Sequence, residues 1–167
     1  DQVLDLLSIV PDIDLNLMSP DQTLSALAGR VLTSLDPVLA SERPDWVLVQ
    51  GDTTTVAMAA LAAQHRQIRV GHVEAGLRTY DRNNPFPEEM NRVIADHISD
   101  LCFAPTEGAA ANLLREGIAP EKIMVTGNTA VDAVQALAAQ PWSPPEDSPI
   151  RHLPQDRRLV LVTAHRR

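Results

Sequence analysis

Three carboxylates stand where a sheet enzyme would place its chemistry. Asp52 closes the strand-like run Trp46-Val47-Leu48-Val49-Gln50-Gly51, and Glu74 closes Ile68-Arg69-Val70-Gly71-His72-Val73. Glu88 follows in Pro87-Glu88-Glu89-Met90-Asn91-Arg92, which reads as the opening of a helix. Open parallel sheets bind ligands in the crevice outside the carboxyl ends of their strands. Carboxylates delivered there can give and take protons, and are placed to work on a ligand rather than to solubilise a surface.

Each acid also has a structural use. Asp52 could cap the helix that starts at Thr53. Glu74, directly after a buried strand, needs a partner, and Arg78 lies four residues on. Glu88 and Glu89 both suit the positive end of a helix dipole. Neighbouring helical residues point about 100° apart, so one of the two faces the crevice. Arg92 shares the face of Glu88, four residues away, and can pair with it. His72 alternates with Val70 and Val73 and reads as a partly buried, satisfied histidine. Arg78 and Arg82 flank the loop beside the site.

The elements that must carry these residues alternate. Ser19-Pro20-Asp21-Gln22 reads as a helix start, and Leu24, Leu27, Val31, Leu35 and Val38 recur at helical spacing with Pro37 as a kink or restart. The strand Trp46 to Gln50 follows, uniformly apolar as in a sheet covered on both faces. A helix over Thr53–Gln64, a strand over Ile68–Val73, a polar loop and a helix from Pro87 past Ile98 come next. Leu101–Ala104 is a strand, Thr106 caps a helix that Gly117 ends, and Lys122–Thr126 is another strand. Thr129–Ala139 is helical; 140–157 is a proline-rich linker, and Arg158–Thr163 is a strand that begins a second domain. Such alternation specifies an α/β fold with a doubly wound parallel sheet, Rossmann-like, over residues 1–139.

Composition narrows the function classes. The chain of 167 residues is 44% hydrophobic with a formal net charge of -8, a globular and acidic composition. Residues 1–45 alone hold eight acids and two arginines. No basic face suggests nucleic-acid binding, and no apolar run reaches a membrane span. The single cysteine, Cys102, sits between Leu101 and Phe103, agrees with a cytoplasmic setting and reads as a core thiol.

Glycines at the strand ends (Gly51, Gly76, Gly127) let backbone approach a ligand. Helix starts beyond them suit phosphate. Neither GxxxxGK[ST] nor GxGxxG is present, so the site is of another type than a P-loop or dinucleotide fold.

Six motifs in order carry a resemblance: Gln50-Gly51-Asp52-Thr53, His72-Val73-Glu74-Ala75-Gly76-Leu77-Arg78-Thr79, Pro85 to Arg92, Pro105-Thr106-Glu107, Val125-Thr126-Gly127-Asn128-Thr129 and Thr163-Ala164-His165-Arg166-Arg167. Together they resemble the bacterial non-hydrolysing UDP-N-acetylglucosamine 2-epimerases, enzymes of two-domain glycosyltransferase-B-type architecture. The resemblance implies interconversion of UDP-GlcNAc and UDP-ManNAc by loss and re-addition of UDP through a 2-acetamidoglucal, for surface polysaccharide precursors. It implies catalytic roles for Asp52, Glu74, Glu88 and His165, the last near the diphosphate. Gly51, Arg78, Arg92 and Asn128 are then substrate-binding. The same resemblance implies a UDP-sugar as partner, a homodimer in the full-length protein, a cytoplasmic location, and no metal or other cofactor.

The chain opens on Asp1 rather than methionine and stops two residues after His165. It is expected to be the amino-terminal part of a longer protein, with a first strand before Asp1, a nucleotide-binding domain after Arg167, and no competence by itself. Two rival classes share the fold: a glycosyltransferase, and a nucleotide-sugar-binding module without turnover. Within the epimerase reading, a hydrolysing enzyme or one acting on a more decorated UDP-2-acetamido sugar remains an alternative.

Overall fold

The alternating pattern folds as its periods require. A computed structural model describes residues 2–144, 146–154 and 156–163. The chain divides into two compact units, Asp1–Asn128 and Thr129–Arg167. The first holds a parallel sheet of β1 (Trp46–Gln50), β2 (Arg69–Val73), β3 (Leu101–Ala104) and β4 (Ile123–Val125), ordered β1-β2-β3-β4. Registers Val49↔His72, Gln50↔Val73 and Val73↔Phe103 fix which strand ends lie abreast. This is an α/β, Rossmann-like arrangement.

The crossovers are α3 (Thr54–His65), α4 (Glu88–Ile98) and α5 (Glu107–Arg115). Right-handed connections between successive neighbours put their helices on one face of the sheet. Helix α2 (Leu24–Glu42) packs on α3, and a short α1 (Gln2–Leu6) precedes it. The small side chains of Ala57, Ala60, Ala62 and Ala63 let α3 come close to its neighbours, with Leu39, Val49, Val56, Val70 and Ala95 filling the remaining space.

Under α5, Leu113 is fully buried with Ala75, Cys102, Ala104 and Ala109; such burial contributes about 2 kcal/mol. Burial, aided by the charge of Asp96, pushes the Cys102 thiol up to about 12, as suits an inert core cysteine. Gly76 is required here, because a Cβ on it would stand 2.3 Å from the Ala109 carbonyl oxygen. On the other face of the sheet Leu48 is 66% exposed.

Two local expectations change. Helix α2 begins at Leu24, where Thr23 Oγ1 accepts the Ala26 N–H at 3.1 Å, and not at Ser19. Asp21 takes φ 54°, a left-handed conformation that no right-handed helical turn can include. Pro37 lies inside α2 without ending it; one missing N–H is tolerated where the rest of the helix is packed.

In the second unit, α6 (Thr129–Ala138) and a 3₁₀ turn (Pro149–His152) form. The strand expected over 158–163 does not: no strand is assigned to these residues, and Leu161 is 91% exposed. A strand needs a neighbour to take its N–H and C=O groups, and apolar sequence alone supplies none. Among the described residues no helix is long and apolar enough to cross a membrane.

Candidate active site

The ends of β1 and β2 build the site. Gly51 N donates to Val73 O at 3.1 Å, which brings the residues after β1 abreast of those after β2. Glu74 takes φ 71°, and its N–H and that of Ala75 both donate to Phe103 O at 3.1 Å. A non-glycine residue held left-handed stores of order 1–2 kcal/mol, strain that concentrates at functional positions. The carboxylate of Glu74 lies against Gly51, where a Cβ would stand 3.8 Å from Oε2. Gly51 itself takes φ 83°, the left-handed conformation that favours glycine here.

Asp52 does not cap α3. Thr53 Oγ1 does so, accepting the Val56 N–H at 3.3 Å. Asp52 instead turns to α4: its Oδ2 accepts from Arg92 Nη2 at 2.6 Å, and its main-chain oxygen from Asn91 Nδ2 at 3.0 Å. Its side chain stays one-third exposed (33%), able to meet a ligand while paired.

Helix α4 is the hub. Glu89, Asn91, Arg92 and Asp96 are all buried on it, an arrangement that requires each to find a partner. Glu88 lies one turn before Arg92 on the same face. The Arg92–Glu88 pair expected from that spacing does not form, because Arg92 reaches Asp52 and, at 3.5 Å, Glu89. Glu88 Oε2 is buried with no hydrogen-bond partner. A buried carboxylate oxygen without a protein partner is an acceptor that still lacks its donor.

Glu89 is turned inward: it is 3% exposed and its carboxylate accepts the N–H groups of Thr79 and Tyr80, the latter at 2.8 Å. It clamps the loop after β2 onto α4.

Arg78, expected at the substrate, has a wholly buried side chain, with Nε and Nη2 on Glu116 at 2.8 and 2.6 Å, Nη2 also 2.7 Å from Asp96, and Nη1 on Leu77 O at 2.8 Å. Burial works against its charge, but Glu116 and Asp96 outweigh it and hold its pKa above the usual arginine value. A bidentate guanidinium with both forks engaged has little left to offer a phosphate.

His72 is likewise fully buried, not partly, with Nδ1 2.6 Å from Asp96 Oδ1 and Nε2 2.8 Å from Gly51 O. Asn128 follows Gly127 at the end of β4, half-buried on the same strand-end edge. His165 lies outside the described residues. Among the described residues no three His, Cys, Asp or Glu side chains gather to hold a metal ion.

Sequence reasoning missed Asn91, Asp96 and Glu116. A signal existed for Asp96: it recurs with Glu89 and Arg92 at i, i+3, i+7, the spacing of a buried stripe. A polar residue in such a stripe implies a partner. Glu116 carried no signal, since its partner Arg78 is 38 residues away.

Comparison with known proteins identifies the family. The sequence model of UDP-N-acetylglucosamine 2-epimerase matches residues 1–167. The chain is 48% identical to the UDP-N-acetylglucosamine 2-epimerase of Salmonella typhimurium over 172 residues, covering 100% of this chain and 46% of that protein. It is 47% identical to that of Bacillus subtilis, covering 100% of this chain and 43% of the relative. The chain thus spans less than half the length of these relatives. A crystal structure of UDP-GlcNAc 2-epimerase from Neisseria meningitidis, solved bound to UDP-GlcNAc, superimposes with a TM-score of 0.78 at 48% identity, over 83% of this chain and 38% of that one. This chain belongs to the UDP-N-acetylglucosamine 2-epimerase family.

Proposed function

We propose that the complete protein containing this chain inverts C2 of UDP-N-acetylglucosamine to give UDP-N-acetylmannosamine. The observation that supports this most directly is the pair Asp52 and Glu74 on adjoining strand ends, with Glu74 held in a left-handed backbone against Gly51. In this reaction the C1–O bond to UDP breaks, a carboxylate takes the C2 proton, and the electron pair of that C–H bond forms the C1–C2 double bond of 2-acetamidoglucal. A protonated acid then returns hydrogen to C2 from the opposite face while UDP adds back at C1. Asp52, Glu74 and Glu88 supply these proton transfers. Asp52 is oriented by Arg92 at 2.6 Å while its side chain stays one-third exposed (33%). Glu88, whose buried Oε2 lacks a protein donor, is an acceptor for a sugar hydroxyl that reaches it.

His165 near the diphosphate, and Asn128 and Gly51 at the substrate, complete the reading. Most uridine contacts fall to a second domain after the proline-rich 140–157 segment. The family resemblance supports a homodimer in the cytoplasm, for surface polysaccharide precursors.

Turnover of UDP-GlcNAc in heavy water tests the proposal. Deuterium at C2 of the product is expected, because the returned proton comes from exchangeable acids. A C2 that keeps its original hydrogen, transfer of the sugar to an acceptor, or binding without turnover would overturn it.

A further inference from the structure

We propose that His72 is a positioning residue for this site, one that fixes the Gly51–Asp52 peptide through its Nε2 proton and so sets Asp52 relative to Glu74. The inference rests on the function proposed above and deepens it.

His72 points from β2 into the helix-bearing side of the sheet, and its side chain is completely buried. It cannot touch substrate. A carbonyl oxygen only accepts, so the 2.8 Å contact with Gly51 O requires the proton on Nε2. The other nitrogen faces Asp96 Oδ1 at 2.6 Å. The second oxygen of Asp96 accepts the Gly76 N–H at 3.2 Å and lies 2.7 Å from Arg78 Nη2. Asp96, held in turn by a guanidinium and a main-chain donor, fixes the orientation of the His72 ring.

The consequence falls on Gly51. Its N–H is bonded to Val73 O at 3.1 Å and its C=O to His72, so β2 holds the peptides on both sides of this residue, which takes φ 83°. Asp52 is the next residue, and its own oxygens are held by Asn91 and Arg92 of α4. His72, through Asp96, ties the same peptide to the same helix from below. Freeing the Gly51 carbonyl lets the peptide rotate and carries the Asp52 carboxylate with it. Misplacement on the ångström scale costs about a hundredfold in rate.

The test uses the complete protein with His72→Asn and His72→Gln. The glutamine amide reaches the place of Nε2 and keeps a donor for Gly51. The asparagine amide reaches only the place of Nδ1 and loses it. His72→Asn is expected to lower kcat about a hundredfold with KM unchanged, the signature of a group acting on the transition state. His72→Gln is expected to recover most of that loss. Equal losses in the two variants, or an undiminished kcat in His72→Asn, would overturn the role of His72 while leaving the epimerase reading intact. A wild-type protein that does not epimerise UDP-GlcNAc would instead overturn the function itself. A readout independent of folding is nuclear magnetic resonance of the wild type labelled with nitrogen-15 histidine and carbon-13 glycine. A proton on Nε2 and coupling from Nε2 to the Gly51 carbonyl are expected, and their absence would overturn the proposal.

Discussion

Arg92 donates to the carboxylate of Asp52 at 2.6 Å across 40 residues of sequence, tying the first turns of α4 to the end of β1. The neighbouring Asn91 takes the Asp52 main-chain oxygen. One helical turn therefore fixes both the backbone and the side chain of an acid proposed to move a proton. The pair also decides where Glu88 stands: with Arg92 committed elsewhere, Glu88 keeps an oxygen for a ligand.

Replacing either strand-end acid should abolish most turnover. Asp52→Asn and Glu74→Gln in the complete protein are expected to lower kcat at least about a hundredfold, the scale of a general acid–base group. Steady-state rates on UDP-GlcNAc, with circular dichroism to establish folding, decide this; wild-type rates in both variants would remove these residues from the mechanism.

The adjacent glutamates should separate stability from rate. Glu89→Gln places an amide N–H₂ or a weaker acceptor against the Thr79 and Tyr80 N–H groups, at a cost of about 1–3 kcal/mol. Thermal melting should show a clear loss. Glu88→Gln should melt as the wild type does, because Oε2 has no protein partner to lose, yet lose about a hundredfold in kcat.

Arg78 should behave as a buried ion and not as a substrate contact. Arg78→Ala leaves Asp96 and Glu116 without their cation, and breaking a buried pair on one side costs about 3–5 kcal/mol. The expected result is a large drop in melting temperature. A stable variant with a raised KM alone would return Arg78 to the substrate.

Cys102 sets a test in alkaline solution. Its folded pKa, about 12, is raised from 9.0, so the neutral thiol's contribution is complete below pH 9.0 and is lost as pH rises toward 12. The stability difference between wild type and Cys102→Ala should narrow over that range. A thiol reagent should react with native protein only as fast as it opens, and rapid labelling of the folded protein would contradict the burial.

The sequence by itself determined the elements and the location of the site. Apolar runs of five residues between alanine-rich and capped helices admit a parallel sheet and little else, and strand ends in such a sheet lie at one edge. Asp52, Glu74 and Gly51 were therefore legible, because a strand's direction and its last residue are local properties. Thr106 as the cap of α5 was legible for the same reason, its Oγ1 accepting the Ala109 N–H at 3.1 Å. Only the tertiary structure decided which charges pair. Arg78 chose Asp96 and Glu116 over Glu74, Arg92 chose Asp52 over Glu88, and Glu89 turned inward to hold main-chain N–H groups. Helical spacing offered the nearer partners, but a contact four residues away on a surface is worth only a few tenths of a kcal/mol. A buried charge must be satisfied wherever the fold brings its complement, and that place is set by how α4 and α5 pack on the sheet.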